Sequence, residues 1–165
     1  MPEDITVKRF PVHERYGAKA GLGNDCFLHA ELFAENFWRP LEAYRARVAT
    51  LIFEFGAFSR EAFAGEAPFV EQLERFLGAL PKGPRYAVEI RNPEFLADDY
   101  FACLKKHNVA HVFNAWTRMP ELGVQMAIGD AFSADFKVVR ALLRRGRAYE
   151  DAVKAFAPYE KVRDA

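Results

Sequence analysis

What constrains this chain most is a recurring unit. Five short runs rich in apolar and β-branched residues, Ile5–Phe10 (ITVKRF), Thr50–Gly56 (TLIFEFG), Tyr86–Arg91 (YAVEIR), Ala110–Trp116 (AHVFNAW) and Phe136–Leu142 (FKVVRAL), are separated by stretches of helical period. Near-continuous apolar strands alternating with helices indicate a parallel sheet covered on both faces. The helices are readable too. Phe69, Val70, Leu73, Phe76, Leu77 and Leu80 share one helix face, with Pro68 suited to its first turn and Pro81 to its end. Asn92 followed by Pro93 predicts an N-cap and a Pro at N1, opening a helix through about Lys106. Asn24 or Asp25 is expected to cap a helix carrying Phe27, Leu28, Leu32 and Phe33, which Pro40 breaks or restarts. Tyr149, Val153 and Phe156 make a last helical face.

The expected fold class is therefore α/β, with parallel strands alternating with helices in about five βα units and right-handed crossovers. An open doubly wound sheet and part of a barrel both satisfy the pattern. A complete eight-stranded α/β barrel takes roughly 250 residues. The 165 residues here are too few for one, and five strands of eight would leave two edges unpaired.

Composition narrows the partners. Lys plus Arg and Asp plus Glu each total 23, so the chain has no net charge. A dedicated polyanion binder should carry a basic excess, so nucleic acid is disfavoured. The longest run free of Asp, Glu, Lys and Arg, His107–Thr117, is too short for a membrane span. The opening residues, MPEDITVKRF, have no apolar signal region. Cys26 and Cys103 form no CxxC motif, which fits core thiols in a reduced, cytoplasmic protein.

In a parallel α/β sheet, ligands and catalytic groups gather at the C-terminal ends of the strands. Polar residues interrupt the apolar runs there. Glu54 lies near the end of LIFEFG. Glu89 and Arg91 share one face of YAVEIR, and Asn114 and Trp116 share one face of HVFNAW. Arg140 comes late in KVVR, and Lys8 sits in TVKRF. A buried charge is expensive unless paired. One reading is that Glu89 and Arg91, or Glu54 and Arg140, only neutralise each other. The other is a polar pocket for a small anionic or sugar-like substrate. In it Glu89 and Glu54 are the candidate catalytic carboxylates, and Lys8, Arg91, Asn114, Trp116 and Arg140 bind substrate. An arginine would clamp an anion in bidentate fashion, a buried glutamate would exchange protons, and the tryptophan would wall a sugar ring.

Weaker signals lie elsewhere. The glycine-rich segment from Gly17 to Asn24, with His13, Arg15 and Lys19 nearby, could cradle a phosphate, but it matches neither a Walker loop nor GxGxxG and reads as a surface loop. Arg140, Arg144, Arg145 and Arg147 form a basic run, read as a solvated loop or, alternatively, a phosphate or nucleic-acid contact. His13, His29, His107 and His111 show no HxH or HExxH spacing, so no metal site is expected, although Glu54 and Glu89 could share a divalent ion. Ser59 and Ser133 lack a nucleophile elbow. No cofactor and no oligomeric state can be read.

The strand residues carry a resemblance. Ile5-Thr6-Val7-Lys8-Arg9-Phe10-Pro11, Phe53-Glu54-Phe55, Tyr86 to Asn92 (YAVEIRN), Phe113-Asn114-Ala115-Trp116 with Met119-Pro120, and Val138-Val139-Arg140 together resemble the DUF72 (YecE-like) family. The AVEIRN strand is the most specific piece, and the similarity runs from about residue 5 to 162. It implies an incomplete TIM-barrel-like fold in one domain over residues 1–165 and brings no assigned reaction. The family's opening GTSGW-like strand and its closing strand have no counterpart here. The chain is therefore expected to be the middle of such a barrel, and a truncated inactive fragment is a further alternative.

Overall fold

The computed structural model describes residues 3–141, 147 and 149–157. Four parallel strands, β1 (Leu51–Glu54), β2 (Tyr86–Glu89), β3 (Ala110–Asn114) and β4 (Val138–Arg140), form a single sheet in the order β1-β2-β3-β4. Short helices α1 (Glu3–Thr6), α2 (Ala30–Phe33) and α3 (Arg39–Leu41) precede it. Helices α4 (Glu66–Ala79), α5 (Asp98–Lys106) and α6 (Leu122–Met126) connect successive strands, and α7 (Tyr149–Phe156) follows β4. None of the described helices is long and apolar enough to cross a membrane.

Strand order decides between the two candidate windings. A doubly wound sheet reverses its order at a switch point, which puts helices on both faces. Here the order never reverses, so right-handed crossovers place α4, α5 and α6 on one face. The burial pattern agrees. Phe53, Tyr86, Val88, Ile90 and Phe113 join the large core formed with Phe33, Phe69, Leu73, Phe76, Phe101 and Leu104. The alternate positions, Ala87, Ala110 and Val112 with Ile52 and Val138, make a separate, smaller cluster on the inner face. The sheet does not close on itself: among the described residues β1 and β4 each have one strand neighbour.

The helix α4 forms where its apolar positions predict, with Phe69, Val70, Leu73, Phe76 and Leu77 buried. Its contacts are largely aromatic. Phe53 lies between Phe33 and Phe76, with ring centroids 5.1 and 4.9 Å away. Offset and edge-on pairs of this kind add to the gain from area burial alone.

Three expectations need correction. Ile5–Phe10 is not a strand of the sheet. Glu3–Thr6 is a helical turn that buries Ile5 in the large core, and the Asn24 side-chain amide donates to the carbonyls of Asp4 and Val7. The extended residues beyond it pair antiparallel with the Gly21–Asn24 segment, through Phe10 N–H to Leu22 O and Asn24 N–H to Lys8 O. β-Branched residues state a preference only; here local backbone partners and burial of Ile5 override it. Among the described residues the sheet thus has four strands, not five. Next, the helix through Phe33 is capped by His29, whose Nδ1 accepts from Leu32 N–H, while Asn24 accepts from Cys26 N–H in a tight turn. Pro40 neither breaks nor restarts it: a π turn, Ala34–Trp38, carries the chain into α3. Finally, Asn92 does not cap the helix ending at Lys106. A 3-10 turn, Pro93–Phe95, intervenes, and Ala97 precedes α5. Leu142 of the fifth expected run lies outside the described residues.

His111 is buried against α5, its Nδ1 3.1 Å from the Tyr100 hydroxyl and its ring edge-on to Phe101 and Phe113. Burial pushes its imidazolium down to about 4 from an ordinary value of 6.5. The unfolded chain then binds a proton that the native state refuses. Stability should be constant above the unfolded value and fall as pH drops from about 6.5 towards 4, by about 3 kcal/mol in all. Urea titrations across that window should show the slope, and His111→Phe should flatten it. An equal slope in both proteins would assign the loss to other groups.

Candidate functional site

The two-residue period of the strands sorts the inner face into tiers. The lower tier, with Ile52, Ala87, Ala110, Val112 and Val138, is apolar. The upper tier holds Glu54 at the end of β1, Glu89 at the end of β2 with Arg91 two residues on, Asn114 at the end of β3 and Arg140 at the end of β4. The register sets Glu54 beside Glu89 and Asn114 beside Arg140. Two adjacent carboxylates repel unless cations separate them.

Arginines do so. Arg140 reaches across the sheet from β4, placing Nη1 2.7 Å from Glu54 Oε2 and donating also to Glu89 Oε2. Arg91 donates to Glu54 Oε1, and its Nε lies 3.7 Å from Glu89 Oε1. The four side chains form an alternating ring in which each acid meets both bases. The two sequence readings of paired charges thus merge into one network. Its formal charge is zero, and it is unevenly exposed: the Glu54 side chain is 38% accessible and that of Glu89 is 0%.

The ring leaves something unsatisfied. Glu89 Oε1 and Arg91 Nε are both buried and neither has a hydrogen-bond partner. The two acids also differ electrostatically. Burial raises the Glu89 carboxyl above the ordinary carboxylate range, outweighing the Arg140 hydrogen bond and charge. For Glu54 burial pulls the same way, but the Arg140 hydrogen bond and the charges of Arg91 and Arg140 outweigh it and hold the carboxyl below that range.

Asn114 is fully buried and its polar groups are engaged. Its amide donates to Ile90 O and its Oδ1 accepts from Trp116 N–H, which fixes the turn leaving β3. Trp116 is half-buried, and its ring lies 5.5 Å from the Arg91 guanidinium and 5.5 Å from that of Arg118. Lys8 is not brought to this group. Its ammonium bonds Gln72 and lies over the Phe27 and Phe63 rings, beside a cleft of about 430 Å³ that shares no lining residue with the ring.

Reading the sequence missed three supporting residues. Gln125 is buried on α6, and its amide donates to the carbonyls of Asn114 and Pro120, so it holds the end of β3. Asn92 pairs its amide with both the N–H and the C=O of Phe58, tying the loop after β2 to the loop after β1. Arg118 stands in the loop after Trp116. Only Asn92 carried a local signal, and Asn-Pro spelled a helix cap instead.

The residues of the weaker candidates have local partners or lie outside the described residues. In the glycine-rich segment Arg15 pairs with Glu3, Lys19 with Asp4, and His13 caps a short 3-10 turn. Arg144 and Arg145 lie outside the described residues, and Arg147 lies over the Phe156 ring. Among the described residues no group of three His, Cys, Asp or Glu side chains gathers as metal ligands, and Glu54 and Glu89 spend oxygens on arginines.

A family model described as "Protein of unknown function DUF72" matches residues 6–162. No curated protein and no solved structure matches the chain.

Proposed function

Since the chain belongs to the DUF72 family, whose description assigns no reaction, we propose from the site's own chemistry that the rim of the sheet is a small-molecule enzyme site, the mouth of a TIM-barrel-like wall. Glu89 exchanges a proton with a small anionic or sugar-like substrate, Glu54 stays ionised, and Arg91 and Arg140 hold both acids in place. One observation carries this reading: two neighbouring carboxylates have their proton affinities pushed apart, and the one with the higher affinity keeps a free oxygen. Environments that separate two acids in this way divide the roles of proton donor and charged partner. Glu89 Oε1 and Arg91 Nε are buried 3.7 Å apart, so a substrate hydroxyl reaches both only from the side, bridging them once the groups that cover them give way. The free thiols of Cys26 and Cys103 support a reducing, cytoplasmic setting.

Hydrolysis of p-nitrophenyl phosphate and of p-nitrophenyl glycosides tests the assignment. Glu89→Gln should retain cooperative unfolding and lose turnover by about 100-fold or more, the usual scale of general acid–base catalysis. An unchanged rate in Glu89→Gln, or no hydrolysis of either series, would sink it.

A further inference from the structure

We infer that the substrate is a sugar carrying an oxyanion, carboxylate or phosphate, with the oxyanion docked on Arg118 and the sugar ring lying on Trp116. The inference rests on the reading of the rim as a small-molecule site. It begins from a charge count. Arg91 and Arg140 are both committed to Glu54 and Glu89, so an anion approaching either guanidinium also meets a carboxylate. Neither can serve as the anion clamp expected of them. Arg118 differs. It is exposed, its guanidinium lies over the Trp116 ring 5.5 Å from the centroid, and it has no carboxylate partner among the described residues. The Trp116 ring therefore has one neutralised guanidinium and one available one over it, each 5.5 Å from its centroid. A planar guanidinium held on an aromatic face is pre-organised for two-point contact with an oxyanion.

A second observation fixes the rest of the ligand. Glu89 Oε1 and Arg91 Nε are buried without partners, an acceptor and a donor side by side. A hydroxyl group satisfies both, since it donates and accepts. Hydroxyls for the Glu89–Arg91 pair, an apolar ring face for Trp116 and one oxyanion for Arg118 together describe a sugar phosphate or a sugar acid.

The indole N–H signal of Trp116, identified by its loss in Trp116→Phe, reports binding in the full chain. Glucose 6-phosphate, glucuronate, glucose and inorganic phosphate are the probes. At least one of the two charged sugars should shift the signal saturably, and the better of them identifies the oxyanion. Glucose and inorganic phosphate should each bind at least about 10-fold more weakly. Arg118→Gln should reduce the charged sugar's affinity to that of glucose, and Arg118→Lys should recover part of it. Unaltered affinity in Arg118→Gln overturns the inference and leaves the rim site standing. No saturable shift with either charged sugar overturns it as well. A charged sugar held through Arg118, with turnover unchanged in Glu89→Gln, overturns the catalytic reading instead.

Discussion

Arg140→Met is expected to destabilise the fold by about 3–5 kcal/mol at neutral pH, the cost of stripping one partner from a buried ion pair. Two acids lose a donor, but unequally. Glu54 is 38% accessible and can turn to water. Glu89 is wholly buried, and without Arg140 its nearest cation is Arg91 Nε at 3.7 Å, outside hydrogen-bond contact. The loss therefore belongs to Glu89. Its sign with pH follows. Burial already raises the Glu89 carboxyl, so ionisation costs the native state above the folded value, and that cost disappears on acidification. Removing Arg140 raises the folded value further. The difference between variant and wild type should be full at neutral pH and shrink as pH falls. Urea denaturation of both proteins at two pH values measures it. Adding Glu89→Gln to Arg140→Met should restore most of the stability, because the uncompensated charge is gone and the methionine keeps the stem volume. A deficit that ignores both pH and Glu89→Gln would mean that Arg140 acts through packing alone.

Phe53→Ala should cost a comparable amount, about 3–5 kcal/mol. Phe53 is fully buried at the middle of the interface between sheet and helices. Its ring meets Phe33, Phe76 and Tyr86, with centroids between 4.9 and 5.7 Å. Those rings belong to α2, α4 and β2, so a cavity here cannot close by shifting one element. Calorimetry should show the melting temperature about 10 °C lower. Phe53→Leu, which leaves a smaller void, should show a much smaller drop. Equal drops would point to loss of edge-on ring contacts rather than to the cavity.

The fold was legible where burial dictated the residues. The runs around Phe53, Val88 and Val112 are strands because both faces are covered, one by helices and one by neighbouring inward side chains. The run ITVKRF has the same local look and failed, because its hydrogen bonds are supplied by the Gly21–Asn24 segment and not by β1. A sequence does not show which backbone lies alongside. The candidate site was legible for a related reason. A glutamate or arginine inside an apolar run is too costly to be accidental, so Glu54, Glu89, Arg91 and Arg140 stood out. Their pairing did not, since Glu54 and Arg140 are 86 positions apart and meet only through the winding of the sheet. Lys8 shares their look only because ITVKRF has the pattern of a strand. Arg118 escaped because it lies in a loop, where an arginine looks ordinary.

The contact between Arg140 and Glu54 joins the first strand of the sheet to the last. Among the described residues both are outermost strands, the positions from which a sheet normally frays, each at its own rate. A link between them couples the two openings weakly: β1 peels away only by giving up a contact to β4, a part-exposed ion pair. Opening at either margin thereby carries the added cost of that one contact, and the polar rim acts as a light clasp between the two edges of a narrow sheet.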